Sequence, residues 1–404
     1  MSETILVDAI QASPPRSLTR LIEADADILS AQLQQLRARA FPPTAQKELR
    51  RFMAGEAAKL IGISDAYLRT LVLDGVIPEA EKNSAGRRLY TLEQIHAIRD
   101  HLGRNKKDYV RRRDDSEPIQ VIAVTNFKGG SGKTTTSAHL AQYFALRGYR
   151  VLAIDLDPQA SLSALFGLQP EFDLVQNDTI YGAIRYDEHQ RPLADIIRKT
   201  YFTGLDIVPG NLELQEFEHE TPRALIGGRR TTERMFFTRV SAALKSVEAN
   251  YDLVVLDCPP SLGYLTLSAL CAATSVLVTI HPQMLDVASM SQFLHMTAGL
   301  FEVVENAGGN AGYDWFRYLL TRYEPNDSSQ SQVAGLLKSL FGDRVLTNAM
   351  VKSAAISDAG ITKQTLYEVG RENFHRQTYD RAMEALDAVN GEIELLIKQS
   401  WGRK

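Results

Sequence analysis

Apolar positions along this chain follow two periods. From residue 119 onward, short apolar runs alternate with longer stretches of helical spacing; the runs are Val121–Val124, Arg150–Ile154, Leu205–Val208, Leu253–Leu256, Ser275–Ile280 and Phe316–Leu320. Strands without polar alternation are covered on both faces, and helix-length connections between them make them parallel. The pattern predicts an α/β fold with a doubly wound, mostly parallel sheet, and a ligand at the carboxyl ends of its strands. Upstream the period is helical. Leu18, Leu21, Ile22, Ile28, Leu29, Leu33 and Leu36 mark a helix over residues 16 to 41, stopped by Pro42-Pro43. Its apolar stripe needs cover from its own domain or from a second copy, and the pattern leaves both open.

Residues 44 to 103 are built of shorter pieces. A helix containing Gly55 to Ile61 closes at Gly62, Ser64 caps a second one running to Asp74, and Gly75-Val76-Ile77-Pro78 ends it. Gly86-Arg87-Arg88-Leu89-Tyr90 reads as a wing, and Thr91 with Gln94 makes a capping box for another helix. Helix, tight turn, helix and wing is the order of a winged helix-turn-helix, an α-rich DNA-reading unit. A generic three-helix packing domain shares that order. Residues 104 to 118, with Arg104, Lys106, Lys107, Arg111, Arg112 and Arg113, form a basic linker. The expected division is therefore residues 1–43, 44–103, 104–118 and 119–404.

A formal net charge of −4 excludes a basic coat for nucleic acid, so DNA contacts must come from local patches. The two cysteines, Cys258 and Cys271, lie in apolar stretches without CxxC spacing, which fits a reducing compartment. No basic-then-apolar leader and no bilayer-length apolar run is visible, so a cytoplasmic location is expected.

The chemistry concentrates directly after the first strand. Lys128-Gly129-Gly130-Ser131-Gly132-Lys133-Thr134-Thr135 is a glycine-rich loop that opens a helix. Such a loop aims backbone N–H groups at one point and cradles phosphates, with Lys133 reaching the outer phosphates and Thr134 placed for Mg²⁺. The strict phosphate-loop pattern needs glycine at 127, where this chain has Phe127, and Lys128 is an additional lysine. Asp155 and Asp157 stand at the next strand end, one suited to a metal or lysine network and the other to orienting water. Leu253-Val254-Val255-Leu256 ends in Asp257, a Walker B pattern for Mg²⁺. Cys258-Pro259-Pro260-Ser261 follows, as a switch, a helix cap, or both. No Ser-His-Asp arrangement or zinc-type Cys/His cluster stands out.

The two-lysine loop, the Asp155-Leu156-Asp157-Pro158-Gln159 segment and the Walker B strand together resemble the deviant Walker A ATPases of the ParA/MinD family. With the upstream module, the chain is most similar to the long plasmid-partition type, above all the RepA partition proteins of RepABC plasmids. The resemblance implies a P-loop NTPase that binds ATP/ADP and Mg²⁺ and hydrolyses ATP weakly unless stimulated. It implies a homodimer in which Lys128 reaches the other subunit's nucleotide, with Lys128, Lys133 and Asp157 catalytic and Thr134, Asp155 and Asp257 at the metal. Thr321 and Arg322 fall where relatives contact adenine, although ordinary loop residues would look the same.

The resemblance further implies a ParB-like centromere-binding partner, nucleoid association and autorepression. Operator DNA would meet Tyr67, Arg69, Arg87 and Arg88. Non-specific DNA would meet C-terminal basic residues such as Lys352, Arg371 and Arg376, which are interleaved with acids. Two alternatives remain: a MinD-like membrane ATPase using the apolar Ile393–Trp401 segment, and a nucleotide-gated repressor with little turnover. Stable membrane association is not expected.

Overall fold

The computed structural model describes residues 17–40, 47–77, 79–226, 235–309 and 312–403, which fall into two compact units, Met1–Lys47 and Glu48–Lys404. The first contains α1 (Leu18–Ala40), where the helical period places it, with Leu18, Leu21, Ile22, Ile28 and Leu29 exposed. The Pro42-Pro43 stop and Pro78 lie outside the described residues.

The second unit begins with β1 (Phe52–Met53), α2 (Ala54–Ile61), α3 (Asp65–Leu73), β2 (Glu81–Lys82), β3 (Arg88–Tyr90) and α4 (Leu92–Gly103). Gly62 takes φ 91°, a left-handed conformation that glycine adopts without strain, and its N–H closes α2 on Ala58. Ser64 accepts from the Tyr67 N–H at 3.1 Å, and Thr91 with Gln94 forms the complete capping box. The strands form a three-stranded antiparallel sheet in the order β1-β3-β2. Two residues of β1 carry no readable period, and they were not anticipated.

The body follows as β4 (Gln120–Thr125), α5 (Lys133–Leu146), β5 (Val151–Asp155), α6 (Ser161–Leu165), α7 (Pro170–Asp173), α8 (Tyr181–Ile184), β6 (Arg198–Lys199) and β7 (Leu205–Val208). Next come α9 (Gln215–Ile226), α10 (Phe236–Lys245), β8 (Leu253–Asp257), α11 (Tyr264–Ala272), β9 (Ser275–Ile280) and α12 (Met284–Asn306). The remaining elements are β10 (Trp315–Leu320), α13 (Ser328–Phe341), α14 (Ala354–Ile361) and α15 (Arg376–Ser400). Seven strands run in the order β10-β9-β4-β8-β5-β7-β6, all parallel except the β6 edge. The charged pair Arg198-Lys199 makes that edge, a place where charge discourages further pairing. Alternate residues of each central strand enter opposite cores. Ile122, Val124 and Val255 point to one, Val121, Ala123 and Val254 to the other. The sheet is doubly wound, as the apolar runs predict.

The small helical module does not hang from the body. Its buried residues join one face of the large sheet in a single apolar cluster. His96 of α4 donates from Nε2 to the Ala145 carbonyl at 2.8 Å, and burial, followed by the Arg99 charge, lowers its pKa to about 4. Arg99, 2 % exposed, donates to the Leu60 carbonyl, and its Nε and Nη1 have no hydrogen-bond partner. Its side chain passes so close to Gly148 that a Cβ there would lie 2.9 Å from Cδ.

The basic linker is equally engaged. Arg113 donates to the carbonyls of Tyr251, Glu117 and Glu248 at 2.9, 2.7 and 2.7 Å. Arg403 holds the carbonyls of Arg111 and Arg112 and the Glu117 carboxylate, and Trp401 donates to the Pro118 carbonyl at 2.8 Å.

Candidate nucleotide site

The glycine-rich loop links β4 to α5 at the carboxyl end of the central strand, where a parallel sheet opens its ligand crevice. Gly130 and Gly132 have φ of 76° and 86°, the left-handed values that turn the chain tightly into the helix. A Cβ on Gly132 would meet the Thr321 Cβ at 3.4 Å. The loop is braced from the neighbouring strands. Asn126 donates to the Thr279 carbonyl at 2.6 Å and accepts the Lys128 N–H at 3.0 Å, while Thr321 donates to the Ser131 carbonyl at 2.7 Å. Arg322, at φ 52°, donates to the Gly130 carbonyl at 3.2 Å.

These residues open onto a cavity of about 560 Å³. Gly129, Gly130, Gly132, Lys133, Thr134 and Thr135 form one wall, with Asp157, Gln159, Ser161 and Pro260 on another. The far end is lined by Thr321, Arg322, Met350, Val351, Lys352 and Ile356. The lining between Met350 and Gly360 escaped sequence reasoning, because no motif marks it. Lys133 points into the cavity, where burial lowers its pKa against the opposing pull of Asp257.

Two aspartates face each other across the β5–β8 register, Asp155 and Asp257, both fully buried. Burial raises both pKa values, and for Asp257 the Asp155 charge adds to the rise. Their surroundings differ. Asp257 Oδ1 accepts from Ser137 Oγ at 2.9 Å, while its buried Oδ2 has no hydrogen-bond partner. A carboxylate oxygen left bare next to Lys133 and Thr134 fits a divalent cation. Asp155 is engaged at both oxygens. Oδ1 accepts the Asp157 N–H at 3.1 Å, and Oδ2 accepts Ser163 N–H and Oγ at 2.8 and 2.7 Å. These bonds hold the turn that carries Asp157 to the cavity.

Lys128 lies apart. It does not line the cavity, and its ammonium donates to Asp286 in the first turn of α12, 158 residues away. His281 Nδ1 stands 3.6 Å from the other Asp286 oxygen. Phe127, at the position where the strict motif has glycine, stacks on Phe293 of the same helix with centroids 5.5 Å apart. Both unusual residues of the loop are thus anchored to α12. Asp286 was not foreseen, since nothing in its local spacing ties it to residue 128.

Past the Walker B strand, the Cys258–Gly263 loop is pinned at both ends. Cys258 N–H donates to the Val124 carbonyl at 3.1 Å. The Glu218 carboxylate of α9 accepts the first N–H groups of α11, Tyr264 and Leu265, at 2.8 and 2.9 Å. It fits there because residue 263 is glycine, whose Cβ would lie 2.3 Å from Oε1.

The other basic candidates separate into three places. Arg69, Arg87 and Arg88 border a cleft of about 550 Å³ between α3 and the β2–β3 hairpin, with Tyr67 exposed on α3. Arg371 and Arg376 border a second cleft beside Arg50 and Arg51. Lys352 instead stands on the nucleotide cavity, paired with Glu324 at 2.9 Å.

Residues 119–306 match the family model described as an AAA domain. The chain is 56 % identical over 389 residues to the putative replication protein A of Rhizobium rhizogenes, covering 96 % of each. It is 32 % identical over 367 residues to SopA of Escherichia coli K12, covering 89 % of this chain and 92 % of SopA. A solved partition protein has a TM-score of 0.65 over 93 % of this chain and 98 % of its own, at 17 % identity. The McdA–ATP complex of Cyanothece reaches 0.55 over 71 % of this chain and 98 % of its own, at 18 % identity. At those identities the two structures show a shared fold. Together with near full-length identity to replication protein A and SopA, they establish that this chain belongs to the ParA/MinD family of P-loop ATPases, among its plasmid-partition members.

Proposed function

We propose that the protein is an ATP-operated partition switch that closes as a homodimer over two nucleotides. The observation that carries this reading is the split between its lysines. Lys133 lines its own cavity, whereas Lys128 is turned out of it toward α12. A lysine that does not serve its own nucleotide is available to the nucleotide of a second copy. In the closed dimer Lys128 leaves Asp286 and reaches across, binding non-specific DNA follows closure, and a ParB-like partner stimulates hydrolysis and release. This would place the protein on the nucleoid.

Thr134 and Asp257 would hold Mg²⁺, which supplies charge neutralisation on the outer phosphates. Lys133 binds the same phosphates, Asp157 orients the attacking water, and Asp155 positions Asp157. Among the described residues no glutamate or histidine lines the cavity, which suits slow turnover built on positioning. Thr321, Arg322 and the Met350–Ile356 segment form the base end. The α3 helix and the hairpin with Arg87 and Arg88 would read the operator of the protein's own gene, with Tyr67 and Arg69 toward the major groove and repression as the outcome.

The membrane alternative is disfavoured by α15. Ile393, Ile397 and Trp401 are buried in the core, and no described helix is long and apolar enough to cross a membrane. Lys128→Gln against Lys133→Gln tests the proposal. Lys133→Gln should weaken binding of a fluorescent ATP analogue, while Lys128→Gln should bind it normally and fail to dimerise in sedimentation velocity. A Lys128→Gln protein that dimerises with ATP as the parent does would defeat the proposal.

A further inference from the structure

The two clefts that carry the basic residues adjoin. Met53 and Gly55 line both of them, so the cleft at α3 and the hairpin lies beside the second one, of about 1090 Å³, at the start of α15. Arg69, Lys82, Arg87 and Arg88 line the first, and Arg50, Arg51, Arg371 and Arg376 the second. Asp65, Glu56 and Glu372 share the lining, and Glu79, Glu81 and Asp380 pair with Lys82, Arg51 and Arg371. A chain with a net charge of −4 has thus gathered an excess of cations along one path.

Three of the second cleft's arginines are aligned by carboxylates. Arg50 pairs with Glu56, Arg51 with Glu81 and Arg371 with Asp380. The Arg51 and Arg371 pairs are exposed and contribute little to stability, and a guanidinium retains N–H donors for an incoming phosphate. Arg376 is exposed, with no carboxylate within 4.0 Å among the described residues.

We infer that one DNA duplex is held by both clefts at once, its bases read at α3 and its flanking phosphates gripped by Arg51, Arg371 and Arg376 of the same protomer. The inference rests on the operator-reading role assigned above to α3 and the hairpin. Operator and non-specific binding then share a surface, instead of using separate ones as the sequence suggested. Charge complementarity to a polyphosphate backbone selects the partner, because an acidic protein face would lack a repeat that follows the path.

The test uses the full-length protein with a non-hydrolysable ATP analogue, so that the state proposed to bind non-specific DNA is populated. The probes are the duplex immediately upstream of its own coding sequence and a random duplex of equal length. Arg371→Gln/Arg376→Gln should weaken both by similar factors. It should lower the slope of log affinity against log salt by about 1 per lost phosphate contact, roughly 1–2 in all. Hydroxyl-radical protection should shorten on the flank while preference for the upstream duplex persists. Arg376→Gln alone changes no ion pair and guards against misfolding of the double variant. Unchanged slope and unchanged footprint in both variants would overturn the inference. Arg69→Ala serves as the separate control. If it leaves the preference for the upstream duplex intact, the operator-reading assignment itself falls.

Discussion

Replacing Asp286 by Asn should tighten the ATP-dependent dimer. In the single chain, Lys128 is tied to Asp286, and closure requires that tie to break. Asp286 retains 8 % of its exposure and Lys128 40 %, so water screens the lysine end while the carboxylate lies mostly in protein. That places the pair near the upper end of exposed ion pairs, about 1 kcal/mol. A dimer breaks two such pairs, a penalty of about 2 kcal/mol. At about 1.4 kcal/mol per decade, removing it lowers the dimer dissociation constant roughly 30-fold. His281, close to the same carboxylate, provides some cover once Lys128 leaves and keeps the figure from growing. Asn preserves the shape of the side chain and the loop beneath it, so nucleotide affinity of the monomer should not change. Sedimentation velocity over a concentration series, with a non-hydrolysable ATP analogue, gives the constant directly. The gap between variant and parent should narrow at high salt. A variant that binds the analogue normally and dimerises no more tightly than the parent would refute the reasoning.

Three further outcomes are expected. Asp157→Ala should keep ATP binding and dimerisation while partner-stimulated phosphate release falls by about two orders of magnitude; normal release would remove Asp157 from water positioning. Gly263→Ala drives a Cβ into the Glu218 carboxylate and strips the first turn of α11 of its acceptor. It should lower stability in urea by about 1–3 kcal/mol, and Glu218→Leu should do the same; an Ala variant as stable as the parent would contradict this. His96 has its folded pKa lowered to about 4, below the unfolded value of about 6.5. In that window the unfolded chain binds a proton that the folded chain does not, so stability is full above pH 6.5 and is lost as pH falls toward 4, by about 2 kcal/mol at pH 5. Amide exchange in α4 at pH 7 and 5 should report the loosening, and His96→Phe should flatten the difference.

The six long strands and the phosphate loop were legible because each is a local statement. A run such as Leu253–Leu256 has no polar residue to alternate with, and three glycines ahead of Lys133-Thr134 specify a turn that few other uses require. The caps at Ser64, Thr91 and Gly62 were legible for the same reason. What remained hidden depends on contacts between distant segments. Asp286 meets Lys128 only because α12 returns over the loop. The difference between Asp155 and Asp257, two strand-end acids alike in sequence, is made by Ser163 occupying the second oxygen of one of them. Lys352 read as a surface cation, and its place on the nucleotide cavity follows from the chain crossing back after α13. The division into module, linker and body followed composition, which cannot register that Arg113 and Arg403 bind backbone carbonyls.

That fixed linker has a geometric consequence for reading DNA. Domains joined by slack chain can adjust to operators whose half-sites lie at various separations. Here Arg403, Trp401, Arg113 and the His96 contact hold the module proposed to read DNA against the body of its own protomer. If two such bodies close over their nucleotides as proposed, the two-fold axis of the ATPase would set the distance and rotational phase between the two α3 helices. An operator would then have to match the enzyme's dimer as a ruler matches its marks. Inserting half a helical turn, about 5 base pairs, between half-sites would turn one of them to the wrong side of the duplex.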